Sequence, residues 1–192
     1  LRNRRQRQMC IRDRLRAEVA AAGADLGIGF DGDGDRIGII DGKGRQVPGD
    51  LLTAFLAKDV AARHPGAPIL LDVKSSEAAL RLVESAGAAA QIWKTGHSHM
   101  KKRMKELEAP LAGEMSGHIF IADNYLGFDD AIYAAVRVIT QMVKGGQSVT
   151  EFMDSLPEQH ATPELRIDCP DTVKFDSMEK IRAHVLSGHD AA

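Results

Sequence analysis

Short apolar runs alternate with helix-like segments along most of this sequence, and this alternation is the feature that most limits the possible folds. The helix-like segments include residues 15–22, 50–63 and 77–86. The strand-like runs are residues 26–30, 36–40, 69–73, 89–93, 110–113 and 118–121. Strands that alternate with helices are typical of α/β proteins, in which helices connect neighbouring parallel strands. The sequence therefore predicts the α/β class.

Helical spacing also predicts which side of a helix faces the core. The last strong helix of this alternation is capped by Asp129 or Asp130 and stops at Gly145 and Gly146. Apolar residues three or four positions apart form one stripe on such a helix. The stripe predicted to point inward consists of Ile132, Val136, Ile139 and Val143.

Three aspartates at alternate positions form the most specific chemical motif. They lie in the sequence Asp-Gly-Asp-Gly-Asp-Arg at residues 31–36, here called the aspartate loop. Side chains two positions apart in an extended loop point the same way, and the glycines let the backbone curl until the oxygens converge. Without a cation, Asp31, Asp33 and Asp35 would repel one another. They are therefore predicted to hold a divalent metal through oxygen ligands.

Two other kinds of site share part of this pattern. An EF-hand loop also begins with alternating acidic residues, but it ends in glutamate at its twelfth position, where this chain has Gly42. A phosphatase of the haloacid dehalogenase type carries two aspartates after a buried strand, the first of them the nucleophile. That alternative, with Asp31 as nucleophile and Asp33 as acid, stays open. It predicts that this chain alone releases phosphate from a hexose phosphate.

Three polar loops follow successive strands of the predicted sheet. We name them the lysine loop (residues 74–76), the histidine loop (94–97) and the glutamate loop (113–118). In open α/β sheets, ligands bind beyond the carboxyl ends of the strands, so these loops are expected to converge. In the glutamate loop, glycines are expected to expose Glu114 and Ser116. Two exposed hydrogen-bonding side chains favour recognition of a polyol such as a sugar.

Composition argues against several classes of protein. Two cysteines, Cys10 and Cys169, supply neither a disulfide framework nor a metal-binding spacing, which fits a reducing compartment. The histidines His97, His99 and His118 also lack the usual zinc spacing. No apolar run approaches the roughly 20 residues of a membrane span, and no signal-peptide pattern opens the chain. The expected location is the cytoplasm, with no membrane partner.

The first residues carry an unusual concentration of positive charge. Residues 1–16 hold seven arginines and one aspartate, although the whole chain has a formal net charge of −2. An arginine-rich arm can bind nucleic acid. However, residues 5–13 resemble a translated sequencing-library adapter. Residues 1–13 are therefore predicted to be a non-native segment, and no nucleic-acid partner is expected.

Taken together, these motifs resemble the α-D-phosphohexomutases, most closely the bacterial phosphomannomutase/phosphoglucomutase group. The resemblance rests on five motifs in collinear order: the aspartate loop, Asp-Val-Lys at residues 72–74, residues 93–98, the glutamate loop and Leu-Gly-Phe-Asp-Asp at residues 126–130. The family implies four domains around one cleft and a phosphoserine in the first domain. It also implies interconversion of the 6-phosphate and 1-phosphate of mannose or glucose through a bisphosphorylated sugar.

The resemblance implies that this chain contains parts of three domains. Residues 14–45 would be the C-terminal part of the second, metal-binding domain. Residues 46–156 would be the third, sugar-recognition domain, a three-layer αβα domain with a mixed sheet. Residues 158–192 would be the truncated start of the fourth domain, with a strand at 164–169 and a helix at 175–185. No loop of the Ser-His-Asn-Pro type occurs in the sequence, so the chain alone is not expected to catalyse the reaction.

The resemblance also implies a role for each candidate site residue. The three aspartates of the aspartate loop would hold Mg²⁺, and Arg36 would lie beside the phosphoserine. Glu114 and Ser116 would bind sugar hydroxyls. The residues expected to contact substrate or to move protons are Arg36, Lys74, His97 and His118. The partner would be a hexose phosphate, and the intact protein is expected to be a monomer. A non-catalytic module that binds Mg²⁺ and sugar phosphate without turnover stays open as a second alternative.

Overall fold

A computed structural model describes residues 4–157 and 168–189 of this chain. The chain divides into two compact units, Leu1–Leu156 and Pro157–Ala192. Among the described residues of the second unit, the regular structure is one helix, α7 (Lys174–His189). This helix includes the one predicted at residues 175–185. The strand expected at 164–169 falls mostly outside the described residues.

The first unit contains all the strands found in the described residues. The strands are β1 (Leu26–Phe30), β2 (Ile37–Asp41), β3 (Gln46–Val47), β4 (Pro68–Asp72), β5 (Ala89–Trp93), β6 (Leu111–Gly113) and β7 (Ile119–Ile121). The helices are α1 (Arg4–Ala22), α2 (Gly49–Arg63), α3 (Glu77–Ser85), α4 (His97–Leu107), α5 (Ala131–Gly145) and α6 (Val149–Asp154). The six strands predicted between residues 26 and 121 are all present, which confirms the α/β class. No described helix is both long enough and apolar enough to traverse a lipid bilayer.

The strands form two sheets. The first sheet is antiparallel, in the order β1-β2-β3. The second has the order β5-β4-β6-β7, in which β4 is parallel to β5 and β6 while β7 is antiparallel to β6. Parallel neighbours need long connections, and α3 and α4 supply them. The C-terminal ends of β4, β5 and β6 therefore lie at one edge of the second sheet.

Helices cover both faces of the second sheet. On one face, Ile69 and Leu71 belong to a large cluster with residues of α2, α3 and α5. On the other face, Leu70 packs with Met100 and Met104 of α4. Alternate residues of β4 thus serve opposite faces, as the pleat of a strand requires. The result is the three-layer αβα arrangement with a mixed sheet that was expected.

The inward face predicted for α5 is wrong. The four larger apolar residues predicted to point inward, Ile132, Val136, Ile139 and Val143, are exposed. The buried face is made instead of Ala131, Ala134, Ala135 and Val138. These small side chains allow α5 to pack closely on α2. Periodicity alone could not choose between the two stripes, because both have helical spacing.

A backbone joint connects the two sheets. Arg36, at the end of the aspartate loop, pairs with His118 in an isolated antiparallel bridge. The Ile37 amide donates to the Gly117 carbonyl at 3.0 Å. Gly117 has a φ of +97°, and a Cβ there would overlap the carbonyl oxygen of Ile37. The absence of a side chain at Gly117 thus lets the glutamate loop sit against the aspartate loop.

Gly117→Ala is expected to destabilise the protein by about 1–3 kcal/mol more than Gly23→Ala. Gly23 has a similarly positive φ of +59°, but a Cβ there would meet no atom within 4 Å. Both variants add backbone strain, whereas only Gly117→Ala adds a steric overlap. Urea unfolding of the two variants, followed by circular dichroism, measures the difference. Equal losses of stability would contradict the close approach described for Gly117.

Candidate functional site

The four loops predicted to carry chemistry meet at one edge of the second sheet. The lysine, histidine and glutamate loops follow β4, β5 and β6, whose C-terminal ends are adjacent. The aspartate loop joins them through the bridge between Arg36 and His118. The Gly96 amide also donates to Glu114 Oε1 at 2.8 Å, which links the histidine loop to the glutamate loop. The expected convergence of the polar loops is therefore confirmed.

The aspartate loop brings its three carboxylates together. Asp31, Asp33 and Asp35 each place an oxygen within 4.8 Å of the other two. The Arg36 amide donates to Asp31 Oδ1 at 3.1 Å, which curls the loop back on itself. Asp35 Oδ1 is buried and has no hydrogen-bond partner among the described residues. A buried oxygen without a hydrogen bond, beside two further carboxylates, fits a hard cation such as Mg²⁺.

The electrostatics of Asp35 point the same way. Burial raises the pKa of Asp35, and the negative charges of Asp31 and Asp33 raise it further, while His118 opposes them. A raised pKa means that the loop disfavours a third negative charge when no cation is nearby. A divalent cation among the carboxylates would favour the charged form. The residues present therefore fit a metal.

His118 is only 5% exposed and lies between the Arg36 guanidinium and the carboxylates of Asp35 and Asp129. Arg36 Nε donates to His118 Nε2 at 3.0 Å. Because Nε2 accepts a hydrogen bond, a neutral His118 ring carries its hydrogen on Nδ1. His118 Nδ1 lies 3.0 Å from Asp129 Oδ2 and 3.7 Å from Asp35 Oδ2. It is not aligned for a hydrogen bond with either carboxylate. The spacing of these three side chains also suits a metal, but the Nδ1 hydrogen opposes a cation there.

Sequence reasoning missed Asp129 as a residue of this site. It treated Asp129 as one of two possible helix caps, whereas Asp130 alone caps α5, accepting from the Tyr133 amide at 2.8 Å. Asp129 instead pairs with Lys101 Nζ at 3.1 Å. Burial raises the pKa of Asp129, but the hydrogen bond from Lys101, a backbone hydrogen bond and the nearby charges of Lys101 and His118 together outweigh burial, so the net pKa is lowered. A charged carboxylate therefore faces His118 at neutral pH.

Glu114 is buried, so the expectation that glycines expose it is wrong. It is 2% exposed, and its carboxylate turns inward because it accepts from the Gly96 amide. Its second oxygen accepts from Ser116 Oγ at 3.0 Å. Ser116 itself is exposed. Each carboxylate oxygen has a further lone pair, so Glu114 can accept from a ligand without losing these bonds.

The two remaining predicted residues lie at the rim of the same edge. Lys74 is exposed, and its Nζ lies 3.6 Å from Asp72 Oδ2. His97 is exposed at the first position of α4, and its ring centroid is 6.3 Å from that of His118. The sequence analysis assigned no role to Asp72, which is buried beneath both loops. The motif Asp-Val-Lys at the end of β4 was the available signal for it.

Comparisons with known proteins agree on one family. Residues 48–160 match the family model described as phosphoglucomutase/phosphomannomutase, alpha/beta/alpha domain III. A phosphomannomutase/phosphoglucomutase of Pseudomonas putida is 45% identical over 168 residues, which cover 88% of this chain and 36% of the relative. The chain thus spans about a third of the length of such curated relatives.

Solved structures give the same result. A phosphoglucomutase/phosphomannomutase family protein of Burkholderia thailandensis aligns with a TM-score of 0.72 and 39% identity, covering 77% of this chain and 32% of that protein. The Aspergillus fumigatus N-acetylphosphoglucosamine mutase, solved in complex with GlcNAc-6P and magnesium, has a TM-score of 0.57 and 17% identity. The alignment covers 68% of this chain and 35% of the mutase. At that identity the likeness concerns the fold alone.

Proposed function

Because the chain belongs to the phosphoglucomutase/phosphomannomutase family, we propose that it supplies the metal-binding and sugar-recognition parts of an isomerase acting on hexose phosphates. In the proposed reaction, a phosphoserine of the complete protein donates its phosphoryl group to mannose or glucose phosphate. The bisphosphorylated sugar then reorients and returns its other phosphate. The observation that carries this proposal is the backbone joint that holds the aspartate loop against the glutamate loop.

The aspartate loop is proposed to hold Mg²⁺ through Asp31, Asp33 and Asp35. The ion would offset negative charge on the transferring phosphoryl group. The buried oxygen of Asp35 that accepts no hydrogen bond supports this assignment. Arg36 is proposed to lie against the same phosphoryl group, because its guanidinium Nε is within 3.9 Å of carboxylates on both Asp31 and Asp35.

The glutamate loop is proposed to bind the sugar. Glu114 would accept from sugar hydroxyls through its free lone pairs, and the exposed Ser116 hydroxyl would donate or accept beside it. Lys74, the exposed first residue of the lysine loop, would supply a positive charge for the phosphate. These roles require the lysine, histidine and glutamate loops to keep their relative spacing. At this edge of the sheet, that spacing depends on non-covalent contacts between the loops.

His118 is proposed as the acid–base group, with His97 as the other candidate. A base must take the proton from the sugar hydroxyl at a free lone pair. In His118 this must be Nε2, because Nδ1 carries the hydrogen that faces Asp129. Arg36 occupies Nε2 at 3.0 Å, so Arg36 would have to shift when the sugar binds. The protonated ring would then be stabilised by Asp129, 3.0 Å away.

Several finer assignments belong to the same proposal. The domain division at residues 14–45, 46–156 and 158–192 stays a prediction, as does the non-native origin of residues 1–13. The chain alone is expected to be inactive, because its sequence has no Ser-His-Asn-Pro loop. A cytoplasmic location and a monomeric intact protein also stay predictions.

The test is an assay of the complete gene product that contains this sequence. With Mg²⁺ present, it is expected to convert mannose 1-phosphate and glucose 1-phosphate to the 6-phosphates without releasing inorganic phosphate. Nuclear magnetic resonance of phosphorus distinguishes the two isomers and free phosphate in one experiment. Release of phosphate by the 192-residue chain alone would favour the haloacid dehalogenase alternative. Binding of Mg²⁺ and sugar phosphate without turnover by the complete protein would favour a non-catalytic module.

A further inference from the structure

A buried carboxylate lies where three of the loops meet. Asp72 is the last residue of β4 and is 0% exposed. Its Oδ1 accepts from Ser75 Oγ at 2.9 Å and from the Met115 amide at 3.2 Å. Its Oδ2 accepts from Thr95 Oγ1 at 3.0 Å and lies 3.6 Å from Lys74 Nζ. One side chain therefore contacts the lysine, histidine and glutamate loops at once.

Each of these contacts lies at or beside a residue with a proposed role in substrate binding. Lys74 has such a role itself. Met115 lies inside the glutamate loop, between the two residues proposed to bind sugar hydroxyls. Thr95 lies two positions before His97. The spacing between these groups therefore depends on contacts that run through Asp72.

A second buried carboxylate supports the same arrangement. Asp50, in the first turn of α2, is 1% exposed. Its Oδ2 accepts from both the amide and the hydroxyl of Ser76 at 2.8 Å. Asp50 thus fixes the far end of the lysine loop to α2, while Asp72 joins that loop to the other two. The lysine loop is held at both ends.

The chemistry of Asp72 is specific to a carboxylate. A charge is retained in a protein interior only where hydrogen bonds or opposite charges replace water. Asparagine has the same shape but replaces one acceptor oxygen with a donor NH₂ group. That group would face either Lys74 or the Met115 amide, and both are themselves donors. Asparagine therefore cannot satisfy all three loops in their present positions.

We propose that Asp72 is a positioning residue for the phosphohexomutase reaction, which sets the spacing of the lysine, histidine and glutamate loops. The inference rests on the proposed function, because positioning matters only if these loops bind substrate. A displacement of about 1 Å in a catalytic site can lower the rate about 100-fold. Loss of the Asp72 carboxylate would displace three loops together.

The test compares Asp72→Asn with Asp41→Asn. Asp41 is also 0% exposed, and its carboxylate accepts from the Lys43 amide, the Arg45 amide and Arg45 Nε at 3.0, 2.8 and 2.7 Å. All of these donors belong to the turn that follows β2. This turn lies at the opposite end of β2 from the aspartate loop. Both substitutions alter a buried carboxylate, so a general loss of stability is common to the two variants.

Two measurements separate the inference from the proposed function. In the 192-residue chain, amide hydrogen exchange at Met115 and Gly96 is expected to be about tenfold faster in Asp72→Asn than in Asp41→Asn. In the complete gene product, kcat is expected to fall about 10- to 100-fold in Asp72→Asn and less than about twofold in Asp41→Asn. If Asp72→Asn does not fold, Thr95→Val removes one exposed donor and is expected to lower kcat about threefold or more.

Unchanged exchange at Met115 in Asp72→Asn would overturn the inference whatever the enzyme does. Equal falls in kcat for Asp72→Asn and Asp41→Asn would overturn it as well, because lost stability would then explain both. If the unsubstituted gene product shows no mutase activity, the proposed function fails. The exchange measurement then decides alone whether Asp72 holds the three loops together.

Discussion

Asp33→Asn is expected to abolish Mg²⁺ binding and to lower the turnover of the complete gene product about 100- to 1,000-fold. Asp33 is the exposed member of the aspartate loop, so its replacement should leave the fold intact. The substitution removes a charge and one oxygen from a set of three converging carboxylates. A metal that offsets charge in the transition state contributes several kcal/mol, and each 1.36 kcal/mol changes the rate about tenfold.

Titration calorimetry of the 192-residue chain with MgCl₂ measures the binding, and steady-state kinetics of the complete gene product measures the turnover. Asp25→Asn is the matched control, because Asp25 is an exposed carboxylate directly before β1. It removes the same charge from the same hairpin outside the loop. Unchanged Mg²⁺ affinity in Asp33→Asn would show that the ion is held elsewhere.

The largest loss of stability is expected for Asp123→Ala. Asp123 is 2% exposed, and its carboxylate joins α2 to α5. It pairs with Arg63, with His64 Nε2 at 2.9 Å and with Arg137 at 2.7 Å. Removing it leaves Arg137, a mostly buried cation, with Asp59 as its remaining carboxylate partner. Breaking a buried ionic network in this way costs about 3–5 kcal/mol.

Urea unfolding of the 192-residue chain measures this loss, with Asp154→Ala as the control. Asp154 also forms two ion pairs, with Lys43 and Arg45 at 2.8 Å, but it is exposed to solvent. Surface pairs contribute little, so the control is expected to lose far less stability. Similar losses in both variants would show that the number of ion pairs matters more than their burial.

Asp123 also makes the stability depend on pH. Burial raises the pKa of Asp123, but hydrogen bonds from Arg63, His64 and Arg137 outweigh burial and hold the pKa well below its ordinary value. The folded pKa is thus lower than the unfolded value of about 3.9. The stabilisation is fully present above the unfolded pKa and is lost as the pH falls towards the folded pKa. The stability difference between the unsubstituted chain and Asp123→Ala should therefore shrink below about pH 4.

The parts of the fold that could be predicted are those set by neighbouring residues. The run at residues 26–30 and the one at 89–93 became β1 and β5 with the same bounds, because each is a mainly apolar segment of strand length between turn residues. Helix α5 was found with its stop at Gly145 and Gly146, the second of which has a left-handed φ of +65°. Its buried face could not be predicted, because that depends on how closely α2 approaches.

The candidate site shows the same division. The aspartate loop and the glutamate loop could be read directly, since each places its chemical groups within six consecutive residues. The strand–helix alternation then placed the polar loops at one edge, because the ends of parallel strands are adjacent. The roles of Asp129 and Asp72 were not predicted. Each lies in a visible motif, but the partners that define its role come from distant parts of the chain: Thr95 and Met115 for Asp72, and Lys101 and His118 for Asp129.

Local pattern was thus sufficient for the α/β class, the three-aspartate motif and the order of the polar loops. The packing of distant segments was needed to show that Arg36 donates to His118, 82 positions away, and that Met115 donates to Asp72, 43 positions away. It was also needed to show that Glu114 turns inward. The physical reason is that hydrogen bonds across a sheet edge depend on which strands are neighbours and in what register, and residue spacing along the chain does not encode either.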